Sequence, residues 1–281
     1  MTKRLLIDAR QAEETRVVLL SGTRIEDFDY ETENRKQLKG NVYLARVTRV
    51  EPSLQAAFVE YGGNRQGFLA FSEIHPDYYR IPIEDRKALI EADSAEGDDD
   101  SDETGSDGAP ETIGGEEADE EDIRPKRQVK RYKIQEVISR KQIMLVQVVK
   151  EERGNKGAAL TTYLSLAGRY CVLMPNNNRG GGVSRKITNI ADRKRLKTVV
   201  GGLDIQAGMA VIVRTAGAKR TKTEIARDFT YLSKLWDDIR ARTLESQAPC
   251  LIHEEGDLIK RSIRDLYTSE VDEVLVEGEE A

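Results

Sequence analysis

The chain has 281 residues and a formal net charge of −6, with charged side chains at 33% of its positions and aromatic ones at only 6%. This length allows two or three small domains, each with a core of its own. No apolar run approaches the length of a membrane-spanning helix, and the N-terminus has too short an apolar core for a signal peptide. The sequence therefore predicts a cytoplasmic protein without a membrane segment.

The net charge hides a strong division along the chain. Residues 91–123 contain sixteen Asp or Glu and no Lys or Arg, so the remainder of the chain carries +10. A basic remainder favours a nucleic-acid partner. Residues 91–122 of this acidic block have no aromatic residue and one large apolar residue, Ile113. This composition predicts a disordered insertion at about residues 85–125, a solvated loop rather than a metal-binding or RNA-mimicking segment.

The cysteines and histidines indicate no metal site. Cys171 and Cys250 lie far apart in apolar contexts, which predicts reduced packing residues. His75 and His253 have no partner at the spacing that metal ligands require.

The chain opens with three predicted strands, over residues 3–9, 15–21 and 23–31, and Gly22 marks the turn between the last two. A different unit then begins at Gly40. Three short strands are predicted over residues 42–50, 55–61 and 66–71, and two more over 142–150 and 159–166. Five such strands indicate a small closed barrel, with the acidic block inserted inside it.

Two aromatic residues mark one face of this barrel. Phe58 and Phe68 are predicted on facing strands, with Arg46, Arg49 and Arg65 nearby. Bases of single-stranded nucleic acid stack on such rings while cations follow the phosphates. Two interpretations stay open, an exposed platform for bases or two rings of the barrel core. Lys150 and Lys156, at a strand end and in the next turn, are phosphate contacts or ordinary solvated loop residues.

The next unit contains a possible phosphate pocket. Residues 192–200 predict a short helix with a basic face, and residues 209–215 predict a buried strand ending at Arg214 and Thr215 beside a glycine turn. An arginine fork, a hydroxyl and backbone N–H groups together suit a phosphate, although many strands end in such residues.

The last part of the chain predicts two helices and a strand. A capping box at Thr221–Glu224 opens a helix to about residue 242. Residues 256–267 predict a second helix with Leu258, Ile259, Ile263 and Leu266 inward, and residues 271–276 a final strand. These elements are expected to cover the opening strands, giving one discontinuous domain that the chain's end cuts short.

Four motifs carry a family resemblance. They are EPSLQAAFVEYGGNRQGFL, KEERGNKGAALTTYLSLAGRY, VLMPNN and IVRTAG, in this order. They resemble the N-terminal region of the bacterial ribonuclease E/G family. The resemblance implies an α+β fold in which an OB-fold barrel and a 5′-sensor α/β unit are inserted into a discontinuous ribonuclease-H-like domain. The implied boundaries are 1–37 and 220–281 for the ribonuclease-H-like parts, 38–166 for the barrel and 167–219 for the sensor.

The same resemblance assigns residues to RNA binding. It implies that Phe58, Phe68, Lys150 and Lys156 contact RNA, and that a 5′-monophosphate is held by a pocket lined by Gly168, Val172, Arg214 and Thr215. The magnesium-binding aspartates of the family and its zinc link between protomers fall after the last residue of this chain, so neither Mg²⁺ nor Zn²⁺ is expected here.

The implied function is the N-terminal part of a single-strand-specific endoribonuclease for mRNA decay and for rRNA and tRNA processing. The full-length protein would bind single-stranded RNA rather than DNA, form a homotetramer and join an RNA-degrading assembly, while this chain alone would not cleave. Two alternatives remain. One is a self-standing RNA-binding module, and the other is a protein-interaction scaffold that uses the acidic block.

Overall fold

A computed structural model describes residues 2–11, 13–32, 37–63, 65–95, 132–153, 156–177, 181–268 and 270–278. Most of the predicted acidic insertion therefore lies outside the described residues. The strands are β1 (Lys3–Gln11), β2 (Glu14–Ser21), β3 (Arg24–Thr32), β4 (Val42–Glu51), β5 (Ala56–Glu60), β6 (Gly67–Ala70), β7 (Ile143–Lys150), β8 (Ala159–Thr161), β9 (Leu166–Ala167), β10 (Cys171–Met174), β11 (Gly182–Val183), β12 (Ala210–Val213), β13 (Cys250–His253) and β14 (Glu273–Glu277). The α-helices are α1 (Ile83–Ala95), α2 (Ile134–Val137), α3 (Ile190–Gly201), α4 (Lys222–Glu245) and α5 (Leu258–Leu266).

Strands β4 to β8 form a closed barrel. The neighbours run β4, β5, β6, β8, β7, and β7 pairs with β4 again to close the circle. Strands β6 and β8 are parallel, and the other barrel pairs are antiparallel. This confirms the predicted five-stranded barrel, and the strand order is consistent with an OB-fold. Its interior is filled by alternate strand residues, among them Val47, Val59, Leu69, Met144 and Val146.

A second sheet packs beside the barrel, in the order β11, β12, β10, β9. Helix α4 lies between this sheet and the outside of the barrel, because its Phe229 and Leu232 share a buried cluster with Val42 and Leu173. The predicted capping box is confirmed, since the Thr221 side chain accepts from the backbone N–H of Glu224 and the Glu224 carboxylate accepts in return. Helix α3 covers the outer side of β11 and β12 through a separate cluster.

The third sheet joins strands from distant parts of the sequence. Its order is β14, β1, β2, β3, and β14 runs parallel to β1. Helix α5 covers one face, where Leu258 packs on Leu5, Ile7, Val17 and Leu19. The mixed α and β content that the sequence predicts is confirmed. Within the described part of the chain, no helix is both long and apolar enough to cross a membrane.

The predicted first residue of the disordered insertion is wrong. Disorder is predicted from about residue 85, yet α1 runs from Ile83 to Ala95. Its Leu89 packs against the barrel core, Arg86 donates to the carbonyl of Tyr79 at 3.1 Å, and Asp85 accepts from the Tyr132 hydroxyl. These anchors give the first turns of the helix a packed side, which the local charge of the sequence does not indicate.

Two smaller predictions also differ from the structure, and one strand pairing is not predicted at all. The predicted strand over residues 159–166 divides into β8 and β9, because the Asn176 side chain binds the backbone at Thr162 and Leu164 where the chain leaves the barrel. Ile263 is 42% exposed and not inward; Ser262 takes the buried position on α5. Strand β13 pairs with β4 and extends the barrel sheet, which the sequence does not indicate.

Candidate nucleic-acid interface

One row of side chains crosses the strands of the barrel at the same level. Arg49 on β4 pairs with Phe58 on β5, and Phe58 pairs with Phe68 on β6. Phe68 pairs with Ala159 on β8, and Ala159 pairs with Lys150 on β7. Residues in register across neighbouring strands point to the same face. The two aromatic rings therefore lie in line with a cation on each side.

The rings of this row face outward. Phe68 is 36% exposed and Phe58 is half-buried. Their centroids lie 5.9 Å apart at an interplanar angle of 74°, and the Arg49 guanidinium carbon lies 4.6 Å from the centroid of Phe58. The Thr48 hydroxyl donates to the carbonyl of Phe58 at 2.9 Å and fixes the strand beneath the ring. The structure therefore favours an exposed aromatic platform over two core rings.

Basic side chains lie at one end of this row, on β7 and in the β7–β8 loop. Lys150 and Lys156 are exposed, and Lys156 forms a backbone bridge with Arg153. The loop is held close to the start of β6, because the backbone at Gly157 lies so near the Gln66 carbonyl that an added Cβ would be 1.9 Å from its oxygen. Both predicted lysines thus lie on strand β7 and the loop that follows it, next to the aromatic row.

Arg46 does not belong to this row. Its guanidinium donates to the carbonyl of Ala248, next to β13. The sequence places it near the rings because it lies three residues before Arg49. In the β4–β5 pairing Arg46 lies opposite Glu60, two residues from Phe58 along β5, and therefore outside the row. The cations at the two ends of the row are instead Arg49, one of three arginines that the sequence suggested, and Lys150.

The four residues of the predicted phosphate pocket converge at one end of the second sheet. The Arg214 backbone N–H donates to the Tyr170 carbonyl at 2.8 Å, and its Nη1 donates to the Gly168 carbonyl at 2.6 Å. Val172, half-buried, pairs with Ile212 two residues before Arg214. Thr215 is exposed at the start of a single 3-10 turn, Thr215–Gly217. The strand pairing and the hydrogen bond to the Gly168 carbonyl thus bring Gly168, Val172 and Arg214 together, and Thr215 follows Arg214 directly.

Asp265 completes this group and is not indicated by any motif. Nη2 of Arg214 lies 2.7 Å from Oδ1 of Asp265, and Arg264 contacts the second carboxylate oxygen at 2.9 Å. Partial burial opposes ionisation of Asp265, but hydrogen bonds from Arg264 and then Arg214 outweigh it and lower its pKa. The ion pair therefore fixes the Arg214 guanidinium at neutral pH.

Comparison with known proteins places this arrangement in a family. A model of the Ribonuclease E/G family matches residues 165–281. Ribonuclease E of Escherichia coli (strain K12) is 39% identical over 276 residues, covering 98% of this chain and 22% of the relative. Ribonuclease E of Haemophilus influenzae is 40% identical over 276 residues, covering 98% of this chain and 25% of the relative. The chain belongs to the ribonuclease E/G family.

The share of each relative that is covered differs within the ribonuclease E/G family. Ribonuclease G of Escherichia coli (strain K12) is 32% identical over 279 residues, which cover 99% of this chain and 48% of that protein. The chain thus spans about a quarter of the length of the two ribonuclease E relatives and about half of the ribonuclease G relative. Its resemblance to the family, predicted from four motifs, is confirmed.

In this ribonuclease E/G family chain, a half-buried carboxylate shapes the loop that carries Gly168. Asp228 of α4 accepts from the backbone N–H groups of Arg169, Tyr170 and Cys171 at 3.2, 2.8 and 2.9 Å. It also accepts from the Cys171 thiol, whose pKa is raised first by burial and then by this carboxylate. A Cβ on Gly168 would lie 2.5 Å from an Asp228 oxygen. Position 168 therefore needs glycine while Asp228 holds the loop.

We expect Asp228→Asn to lower the free energy of unfolding by about 1–3 kcal/mol, because the amide –NH₂ would face backbone donors that then lose their acceptor. Urea denaturation of the variant and its parent measures this change. Asp237→Asn, at an exposed site on the same helix, is the matched control and should stay within about 0.5 kcal/mol of the parent. Equal stabilities of the two variants would contradict the role given to Asp228.

Proposed function

We propose that this chain is the RNA-binding and 5′-end-sensing part of a single-strand-specific endoribonuclease that acts in RNA processing and mRNA decay. The observation that carries the proposal is the row Arg49, Phe58, Phe68, Ala159, Lys150 across the barrel. In OB-folds the face of the second and third strands, with the loops beside it, is the surface that binds oligonucleotides. Membership of the ribonuclease E/G family supports RNA as the ligand.

Binding by this surface would not depend on base identity. Every base has a π-face that stacks on phenylalanine, while Arg49, Lys150 and Lys156 attract the phosphates between stacked bases. A duplex hides its base faces in its own stack, so only an unpaired strand can use the platform. This supports preference for single-stranded RNA.

The pocket around Arg214 would hold the 5′-monophosphate. The guanidinium is anchored by the Gly168 carbonyl and the Asp265 carboxylate, which leaves its other N–H groups for phosphate oxygens. The exposed Thr215 hydroxyl adds a short donor, and Val172 offers an apolar contact to the first nucleotide. A 5′-hydroxyl end would lose the charged contact and keep only the apolar one.

Cleavage is assigned to the remainder of the full-length protein. Among the residues that the structure describes, no group of three or more His, Cys, Asp or Glu side chains could hold a metal ion. We propose that metal-assisted attack of water on the phosphodiester depends on magnesium-binding residues outside this chain, and that zinc joins protomers there. In this proposal the sheet of β14, β1, β2 and β3 with α5 is the ribonuclease-H-like domain, and the full-length protein is a tetramer within a larger RNA-degrading assembly.

Fluorescence anisotropy with one single-stranded RNA in two forms tests the proposed function. One form carries a 5′-monophosphate and the other a 5′-hydroxyl, at the same low salt concentration. Tighter binding of the monophosphate form is expected, with both forms bound. Equal affinities would remove the sensing role and leave general RNA binding, whereas no binding of either form would overturn the proposal.

A further inference from the structure

Helix α3 and its two flanking turns form a strongly basic surface outside the platform and the pocket. Residues 184–201 and 218–222 together contain nine Lys or Arg and one Asp or Glu. We call the exposed face of α3, with the turns over residues 184–187 and 218–222, the α3 surface. An excess of positive charge on one side of a small unit attracts polyanions over several ångströms.

One face of α3 is buried against the sheet and the other is exposed to solvent. Leu196, Val199 and Val200 are buried on the sheet. Lys194 and Lys197 are exposed and, at helical spacing, lie one turn apart on the side opposite these residues. The Asn189 side chain accepts from the backbone N–H of Asp192 and fixes the start of the helix. The two lysines are therefore presented by a rigid element.

Two arginines of α3 attach the flanking turns to it. Arg193 donates to the carbonyls of Ser184 and Ile187 at 3.1 and 3.2 Å. Arg195 donates to the carbonyl of Arg220 at 2.9 Å. These bonds bring exposed Lys186 to one side of the helix and exposed Lys219 to the other.

The acidic residues nearby leave these lysines unneutralised. Asp192 pairs with Arg195 at 3.8 Å and Glu224 with Arg220 at 3.6 Å. In the part of the chain that the structure describes, no Asp or Glu lies within 4.0 Å of the ammonium groups of Lys194, Lys197 or Lys219. A solvated polar face usually mixes charges of both signs, whereas this one is strongly biased towards positive charge.

The α3 surface continues directly from the pocket. Lys219 follows Thr215 by four residues, across the 3-10 turn Thr215–Gly217. Helix α3 has 12 residues, which corresponds to about 18 Å. A strand that followed the helix over this length would place several successive phosphates along it.

We propose that the α3 surface binds the sugar–phosphate backbone of the RNA nucleotides that follow the 5′ end, without reading their sequence. The inference rests on the proposed function only in that the chain binds RNA. It assigns Lys194 and Lys197 to phosphates that neither the barrel nor the pocket contacts. With this surface, the protein would contact several phosphates near the 5′ end of the RNA instead of one.

The double variant Lys194→Gln/Lys197→Gln tests this surface. Anisotropy titrations with a 15-nucleotide single-stranded RNA over a range of salt concentrations give the slope of log Kobs against log[salt]. Removing two phosphate-binding charges should reduce the magnitude of this slope by about 1.4, since each neutralised phosphate contributes about 0.7 on a single strand. The reduction should be equal for 5′-monophosphate and 5′-hydroxyl RNA, because the pocket is untouched.

Lys87→Gln/Lys234→Gln removes the same charge from exposed positions on α1 and α4 and is the matched control. Its slope should equal that of the parent. The proposal is overturned if the α3 double variant also keeps the parent slope, or if the two double variants change it equally. Parent protein that binds neither RNA would instead overturn the proposed function, so the two failures are distinguishable.

Discussion

Replacing Phe58 or Phe68 with alanine should weaken binding of single-stranded RNA by about 5- to 150-fold, whichever group the RNA carries at its 5′ end. Each variant would lose the stacking of one base, which is worth about 1–3 kcal/mol. The two rings contact each other edge to face, so the effects of the two substitutions should not be additive. The measurement is the dissociation constant by fluorescence anisotropy at fixed salt.

The control variants must distinguish loss of base stacking from loss of the folded structure. Phe28 on β3 is 53% exposed and stacks on Tyr30 at 6.1 Å, so Phe28→Ala removes an exposed ring from another sheet and should leave RNA affinity unchanged. Phe58→Leu keeps apolar volume on the half-buried side of the ring. It should be close to the parent in urea denaturation while still binding RNA weakly. Parent-like affinity of both alanine variants would show that the bases do not stack here.

The salt dependence gives these variants a second signature. Removing a ring leaves the cations in place, so the slope of log Kobs against log[salt] should stay that of the parent. Replacing Lys150 or Lys156 with glutamine should instead reduce the slope by about 0.7 for each phosphate that is no longer neutralised. Stacking and charge can thus be assigned to separate residues of one surface.

The sequence predicts the barrel well, because its strands follow local patterns, and it leaves open whether the two rings face outward. Alternating residues give the strands, and a short turn between β5 and β6 brings Phe58 and Phe68 into register. The same reasoning fails for Arg46, because it pairs with Glu60 rather than Phe58 and its guanidinium binds the Ala248 carbonyl. It also fails for Ile263, since apolar spacing alone cannot tell which of several neighbouring helix positions meets the sheet; in the fold Ser262 does.

Contacts between distant segments are invisible to such patterns. Arg214 and Asp265 are 51 residues apart, and Asp228 is 57 or more residues from the backbone amides that it accepts from. Each of these acidic residues lies on a helix whose sequence reads as an ordinary polar face. Only the packing of α4 and α5 beside the second sheet gives them their partners. Local sequence therefore singles out Arg214 and Thr215, but not the acidic groups that position Arg214 and the Gly168 loop.

Replacing Arg214 with alanine should abolish the preference for 5′-monophosphate over 5′-hydroxyl RNA and leave the affinity for 5′-hydroxyl RNA unchanged. A hydrogen bond to a charged group contributes about 1.5–3 kcal/mol, so the preference that disappears should be about 10- to 150-fold. Arg214→Lys keeps the charge but loses the fork and the bond to the Gly168 carbonyl. It should recover only part of the preference. The ratio of the two dissociation constants is the measurement.

The fold should tolerate this change, because Asp265 keeps its contacts with Arg264 when Arg214 is removed. Arg240→Ala, at an exposed ion pair with Asp237 on α4, is the control and should retain the parent ratio. The lowered pKa of Asp265 means that its carboxylate stays ionised as the pH falls through 6. The preference should nevertheless decline there, because the second ionisation of a phosphate has a pKa of about 6 and the ligand loses charge. An Arg214→Ala protein with the parent ratio would show that the 5′-phosphate is held elsewhere.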